Sequence, residues 1–353
     1  MPIRQDNRGL LFAIPALLLL CFAIVLPFLA AAVMTLTDQR MLSPNRTEFV
    51  GLANYDRLLS VTIREVPRAR DASGAAMVDG EGHRLYARLR PILHASASTR
   101  DYQPLRQFEI GERRYALLAK DPVFWHALGN TFWFVVLVVP LQISMALGLA
   151  LLVNAKFAGR TLFRTFFFAP VVTSMVVVSI VWSFLYSQHF GLINRLLSTL
   201  AGGGVVAINW LGNEKLALPS IAIMSAWQGA GFQMLILLAG LQSIDGQLYE
   251  AALLDGANRW QQFLHVTLPG LRNTLIFVII TTTIAAFSLF VQVDVMTQGG
   301  PNDATATLIY HALRSGFREQ DIAYGASVAV VYFVLVLTVA LIQRRLTNFT
   351  QSG

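Results

Sequence analysis

Residues able to do covalent chemistry are few and scattered in this chain. Its six histidines, at 83, 94, 126, 189, 265 and 311, show no His-x-x-x-His spacing and stand near no cysteine. A metal site needs such donors clustered, so the pattern speaks against one. The single cysteine, Cys21, lies in an apolar run, where a thiol is a small hydrophobe. None of the three lysines, Lys120, Lys156 and Lys215, follows a glycine, so the Gly-Lys-Ser/Thr loop that cradles a nucleotide phosphate is missing. No nucleophile–base set appears. The chain reads as a non-enzyme without a bound cofactor.

What remains is hydrogen-bonding chemistry in apolar surroundings. Asn130, Gln142, Ser144, Gln228, Gln233, Ser288 and Gln292 fall within strongly apolar segments, with Trp227 beside them and Asp294 as the one charge. Amides and hydroxyls both donate and accept, which suits a polyhydroxylated solute, and an indole offers a flat face to a sugar ring. The same groups also serve as glue between helices in a membrane. Asp294, near the end of its segment, reads equally as a helix-end anchor and as a solute contact.

Such groups must be positioned by membrane spans. The chain is 55% hydrophobic and only 13% charged, against about 25% charged in soluble domains. Leu10 to Leu36 is nearly uninterrupted apolar sequence, longer than the core of a secretory signal and long enough to cross a bilayer. Five further spans are expected near Phe124–Val153, Phe163–Tyr186, Leu216–Leu241, Thr274–Met296 and Tyr324–Ile342. Six spans put both termini on one side. Arg4, Arg8, Lys156, Arg160, Arg164, Arg259, Arg272, Arg344 and Arg345 flank one face, against Arg195, Lys215, Arg314 and Arg318 on the other. The excess of positive residues makes the first face cytoplasmic. The net charge of +7 then belongs in part to the membrane flanks and gives no reason to expect nucleic acid.

Residues 38–121 differ in kind. Asp38 to Lys120 holds 14 of the 27 basic residues, too many to enter a membrane. Val78 to Leu89, with Asp79-Gly80 as a turn, and Phe108 to Leu118 read as hairpins. The expected organisation is a first span with its terminus (1–37), an extracytoplasmic α+β insert (38–121), a five-span core (122–347) and a tail (348–353).

Between the fourth and fifth spans runs a polar interval, Gln247 to Pro269. It reads as two short helices. Glu250 falls in the first turn of the first, Gly256 just past its end, Asn258 caps the second and Pro269 ends it. A hairpin of this length cannot span anything, so it is a knob on one face. Its pattern, Glu250-Ala251-Ala252, Asp255-Gly256-Ala257 and Leu268-Pro269, resembles the EAA loop of permease subunits from binding-protein-dependent, type I ABC importers. Gly51-Leu52-Ala53-Asn54-Tyr55, Phe124-Trp125 through Asn130-Thr131, Pro170, Trp182, Gly191 and Asn194 resemble further parts of that family. Thr297, Gly299, Gly300, Pro301 and Asn302, followed by Thr305, Tyr310 and Phe317, are similar to the outer loop of its carbohydrate branch, which imports maltose-type sugars, other oligosaccharides or glycerol 3-phosphate.

The resemblance implies an all-α, six-span permease bundle in a bacterial inner membrane. Residues 244–272 would hold the cytoplasmic coupling loop, with Glu250, Ala251, Ala252, Asp255, Gly256 and Ala257 docking on an ATPase. Asn130, Trp227, Gln228, Gln233, Ser288, Gln292 and Asp294 would line the solute path, and Gly299, Gly300, Pro301 and Asn302 would meet a solute-binding protein. It implies as partners a second, related permease chain, an ATPase dimer that uses the ATP and magnesium, that binding protein, and the lipid bilayer. The solute is expected to be a sugar or sugar derivative, with a polyol or glycerol 3-phosphate as the alternative. A self-powered secondary transporter is the rival mechanism, and the scarcity of buried charge disfavours it. The chain departs from the family at Ser60 to Lys120, where a short connection is usual. There the insert adds either contact with the binding protein or a harmless elaboration.

Overall fold

The computed structural model describes residues 8–69, 77, 85–96, 99–111, 113–155, 159–204 and 207–351. The expected hairpin turn at Asp79-Gly80 lies outside these residues, as do Arg4 and Lys156 of the charge count. In chain order the elements are α1 (Arg8–Leu20), a π-helical turn, α2 (Leu26–Met34), α3 (Ala53–Leu59), β1 (Val61–Val66), α4 (Leu89–Ala95), β2 (Gln103–Ile110) and β3 (Arg113–Ala119). There follow α5 (Pro122–Asn154), α6 (Arg160–Val172), α7 (Met175–Leu185), α8 (Leu192–Leu200), α9 (Ala217–Gln242), α10 (Gly246–Leu254) and α11 (Arg259–Gln262). Last come α12 (Leu268–Gly270), α13 (Arg272–Phe287), α14 (Val291–Met296), α15 (Leu308–Leu313) and α16 (Ile322–Gln351).

Among the described residues four helices are long and apolar enough to cross a membrane: α1–α2, α5, α9 and α16. Counting each of two bent helix pairs as one span gives six. The third span is not straight, for α6 and α7 meet at 101°. Thr173 and Ser174 are extended there, and the Thr173 hydroxyl turns back to the Ala169 carbonyl at 3.2 Å. Such side-chain bonds compete with the helix ladder. The fifth span is bent by 68° at Leu271, between the α11–α12 segment and α13, and it stops at Phe287. Ser288 to Phe290 leave the helix, and α14 is a separate piece.

The chain divides into two compact units. One comprises residues 1–125 and 311–331. In it the first span ends on a tight connection. Gly51 takes φ of +60°, and Asn54 donates through its amide to the carbonyls of Thr35 and Thr37, both at 2.8 Å. The insert is a three-stranded antiparallel sheet in the order β1-β3-β2, with β2 and β3 forming the expected second hairpin. Val66, Leu93, Ala116 and Leu118 form its small core, flanked by Tyr86, Leu89 and Tyr102.

A buried polar cluster sits where the insert ends. The Asp121 carboxylate accepts from His311 Nε2 at 2.7 Å, from the Tyr324 hydroxyl, and from the Phe124 backbone N–H at 3.0 Å. Arg57 stacks its guanidinium 3.9 Å from the Tyr324 ring centroid and pairs with Asp321 at 3.0 Å. Burial alone would raise the Asp121 pKa. The hydrogen bond and charge of His311, the Tyr324 hydroxyl and the Phe124 N–H outweigh it and hold the carboxyl down at about 2. A depressed carboxylate stabilises the fold above its ordinary pKa, and the contribution fades as pH falls from about 4 towards 2. Replacing Asp121 by Leu strands three donors and should cost on the order of 3 kcal/mol. A lower melting temperature of the detergent-solubilised chain, with Asp121→Asn losing less, is the expected result; an unchanged melting temperature would show the cluster to be idle.

The second unit comprises residues 126–310 and 332–353. Its centre is α9, most of whose residues are buried. Ala146, Ala150 and Val153 of α5, Ala230, Met234, Leu237, Leu238 and Leu241 of α9, and Leu271 and Val278 close one core.

Candidate functional site

The polar interval after α9 folds as two short helices, α10 and the α11–α12 segment. The first begins at Gly246, one residue before the expected interval. Asp245 caps α10, accepting the Gln247 N–H at 3.0 Å, so Glu250 lies in the second turn, not the first. The Ser-Ile-Asp-Gly run before Gln247 carried that signal, since Asp is a strong N-cap and Gly can follow it. Gly256 takes φ of +77° just past the end of α10, and the Ala257 N–H returns to the Ala252 carbonyl at 2.9 Å. Asn258 caps α11 in a reciprocal box with Gln261, at 2.9 and 2.8 Å. Pro269 does not end the second helix. A π-helical turn at Phe263–Thr267 precedes it, and the helix runs on to Gly270. A proline near the start of a helical segment costs no hydrogen bond that was available.

The two arms are bound to each other and to α9. The Tyr249 hydroxyl meets Thr267 Oγ1 at 3.0 Å. A Cβ on Gly270 would stand 2.8 Å from Ile244 Cδ1, so the second arm packs closely on the segment that leads into α10. The outer surface is different. Glu250, Ala251, Asp255 and Gly256 are exposed, Ala252 and Ala257 half-buried. Beside them Leu253 and Leu254 are 63% and 90% exposed, and Trp260 is 66% exposed. A rigid, capped hairpin thus presents a small apolar tip ringed by two carboxylates, which is the form of a docking knob.

The expected solute-path residues do not converge on one cavity. A cavity of about 680 Å³ lies between α5, α6, α7 and α9, lined among others by Ser144, Phe167, Pro170, Thr173, Trp182 and Trp227. Trp227 is the one expected residue on its wall, its ring 5.5 Å from Trp182 at 55°. Gln228 donates to the Pro170 carbonyl at 3.4 Å, and Gln292 to Ser225 Oγ at 3.5 Å. Ser288 meets the Tyr332 hydroxyl at 3.4 Å. Asp294 is half-buried on α14. Gln233 is buried, donating to Thr282 Oγ1 at 3.1 Å. Asn130 donates both amide hydrogens to loop carbonyls, of Asp303 at 2.8 Å and of Ala306 at 3.0 Å. For Asn130 and Gln233 the helix-glue reading describes what the side chains do.

Asn130 thereby clamps the Gly-Gly-Pro loop. Thr131 Oγ1 adds a bond from the Leu308 N–H at 3.1 Å, and Thr305 Oγ1 donates to the Gly300 carbonyl at 2.8 Å. Gly299, at φ of +83°, lies under the Tyr310 ring, and a Cβ there would stand 2.7 Å from Cε1. The Tyr310 hydroxyl donates to the Gln298 carbonyl at 2.6 Å. The peptide before Pro301 is cis. Asn302, at φ of +46°, bonds Glu214 at 2.5 Å. Thr131 and Glu214 were missed because only the folded chain brings them to the loop. Downstream of α7, Asn194 donates to the Ile208 carbonyl at 2.9 Å and accepts from Trp210 Nε1 at 2.8 Å, tying the exit of the span.

Residues 142–350 match the family of the binding-protein-dependent transport system inner membrane component. The chain belongs to that family. It is a multi-pass membrane protein and a permease of a binding-protein-dependent ABC importer, a membrane subunit rather than a catalytic one. The match starts after the insert and takes in the hairpin, the cavity and the Gly-Gly-Pro loop. The permease is 33% identical over 246 residues to the probable ABC transporter permease protein YurN of Bacillus subtilis, covering 69% of this chain and 84% of that one. It is 34% identical over 240 residues to the trehalose/maltose transport system permease protein MalF of Thermococcus litoralis, covering 68% and 80%. It is 38% identical over 232 residues to the lactose transport system permease protein LacF of Rhizobium radiobacter, covering 64% and 76%. The fold is that of a chain in the bacterial alginate ABC transporter complexed with an alginate pentasaccharide-bound periplasmic protein, at a TM-score of 0.58 and 24% identity, over 64% of this permease and 79% of that chain.

A side chain at Gly299 must push Tyr310 aside and bear a positive φ, at roughly 1–3 kcal/mol. Gly299→Val should open the 297–307 loop to protease in the membrane-embedded permease. Cleavage at the wild-type rate would mean that the loop is not held as described.

Proposed function

We propose that this permease couples ATP hydrolysis in a separate cytoplasmic ATPase dimer to the import of a sugar or sugar derivative. The observation that carries the coupling role is the capped hairpin with its exposed Leu253–Leu254 tip, on a chain without a phosphate-binding loop of its own. Glu250, Ala251, Ala252, Asp255, Gly256 and Ala257 form the docking surface. The small side chains admit close approach, and the carboxylates face a basic rim on the partner. Closure of the ATPases pushes the hairpin, and rigid-body rocking of the spans exposes the solute path to one side and then the other.

A second, related permease chain completes the path, and a solute-binding protein docks at Gly299, Gly300, Pro301 and Asn302. The membrane is a bacterial inner membrane, with both termini and residues 244–272 cytoplasmic and residues 38–121 outside; residues 122–347 form the transporting core and 348–353 the tail. Trp227, with Gln228, Ser288, Gln292 and Asp294, borders the solute. Support for a sugar comes from relatives named for trehalose/maltose, lactose and arabinooligosaccharides. The paired indoles of Trp182 and Trp227 on one cavity wall suit a sugar face. A polyol or glycerol 3-phosphate is the second solute class, since hydroxyls alone satisfy the same amides.

Two measurements test this. In a Cys21→Ser background, Leu254→Cys should react with a membrane-impermeant maleimide in inside-out vesicles and not in right-side-out ones; the reverse pattern ends the coupling model. Glu250→Arg and Gly256→Trp should each lower sugar uptake and permease-stimulated ATPase activity at least about tenfold, a loss of 1.4 kcal/mol or more in coupling, while the permease still inserts. Full uptake by both variants would be equally fatal.

A further inference from the structure

The insert carries a cavity lined by none of the residues assigned to the hairpin or the Gly-Gly-Pro loop. It measures about 860 Å³ and is walled by α3, α4, the start of β2 and the end of β3. Its charged lining is Arg57, Arg90, Arg100 and Lys120 against Asp56 and Asp101. Two of the cations are already matched. Lys120 pairs with Asp56, and Arg57 pairs with Asp321 while stacked on Tyr324. Arg90 and Arg100 are exposed and form no ion pair among the described residues. Asp101 is the one lining carboxylate left to offset them. Tyr102 and Gln103 supply a ring and an amide at the same wall, with Lys120 Nζ 5.6 Å from the Tyr102 centroid.

We infer that this cavity binds an anionic saccharide, a sugar bearing a carboxylate or sulfate. Two unpaired guanidiniums offer planar donor forks that match an oxyanion bidentately. The volume is that of a pocket for a molecule of a few sugar rings. A polar wall with one aromatic ring suits hydroxyls and one ring face, and offers little to an apolar ligand. None of the cavity's lining residues is among those assigned to the solute path. It deepens the sugar reading by naming a charge class, and it rests on that reading only for the saccharide part.

The test uses the full chain in lipid nanodiscs, with digalacturonate as probe and isothermal titration as readout. Saturable millimolar or tighter binding is expected, weakened at least tenfold in Arg90→Ser/Arg100→Ser and at least threefold by 0.5 M salt, because the contact is a partly exposed charge pair. The variants lie on the surface of the insert, and an unchanged melting temperature checks that it stays folded. Equal binding of a neutral disaccharide, equal competition by inorganic sulfate, or undiminished digalacturonate binding in the double variant would overturn the proposal. Uptake of sugars by the whole transporter, measured separately, decides the transport reading and does not depend on this cavity.

Discussion

Three glycines on one helix fix how near the others can come. A Cβ on Gly229 would stand 2.3 Å from Gln142 Nε2 of α5, one on Gly231 2.3 Å from the Phe167 carbonyl of α6, and one on Gly240 2.7 Å from Thr274 Oγ1 of α13. In a bilayer apolar surface gains little by leaving lipid, so helices associate through close van der Waals contact and interhelical hydrogen bonds. Removing Cβ at these three points lets α9 meet the α6 backbone directly at Phe167 and lets the side chains of Gln142 and Thr274 lie against its own backbone. The hairpin inherits this rigidity, since it leaves the end of α9 directly and closes on Leu271 and Ile244 beneath it.

The same packing explains why polar groups in the spans are spent internally. Where a helix breaks at membrane depth, the freed backbone groups need partners from the protein itself. At the first break, after α6, Gln228 reaches the Pro170 carbonyl. At the second, after α13, Thr307 Oγ1 donates to the Leu289 carbonyl at 2.7 Å. One amide that looked ready for a solute, Gln228, thus serves a bend, and at the second break a hydroxyl does so; bent spans give a transporter hinges that straight ones lack.

How much of this was legible beforehand follows from which signals are local. The second, third and fourth spans came out within a few residues, because hydropathy over about 20 residues is a local sum, whereas the helix of the fifth stops at Phe287, well short of the expected Met296. Gly256 and Asn258 were legible because a helix end and a helix cap each have a short chemical signature. The 101° bend between α6 and α7 was not. Thr173 and Ser174 sit in unbroken apolar sequence, and nothing in hydropathy separates a bent span from a straight one. Glu250 was placed a turn too early because Asp245, the true cap, lay just outside the interval chosen. Asn130 was read as lining the solute path, and its hold on the outer loop was not visible, since its partners at Asp303 and Ala306 are more than 170 positions away.

The insert shows why a permease frame tolerates so large an addition at one point. Its first strand begins at Val61 and its last ends at Ala119, and these two residues face each other across the β1–β3 ladder. The Lys120 N–H then bonds the Ser60 carbonyl at 3.2 Å. The module therefore returns the chain to within one hydrogen bond of where it left. Seen from α3 and α5, it occupies the place of a tight turn, and lengthening a closed loop costs only a logarithmic term in entropy. The seam is held from both sides. Lys120 pairs with Asp56 on α3, and Asp121, one residue on, anchors His311 and Tyr324. A module joined at such a seam can vary in length while the two chain ends it presents to α3 and α5 stay paired.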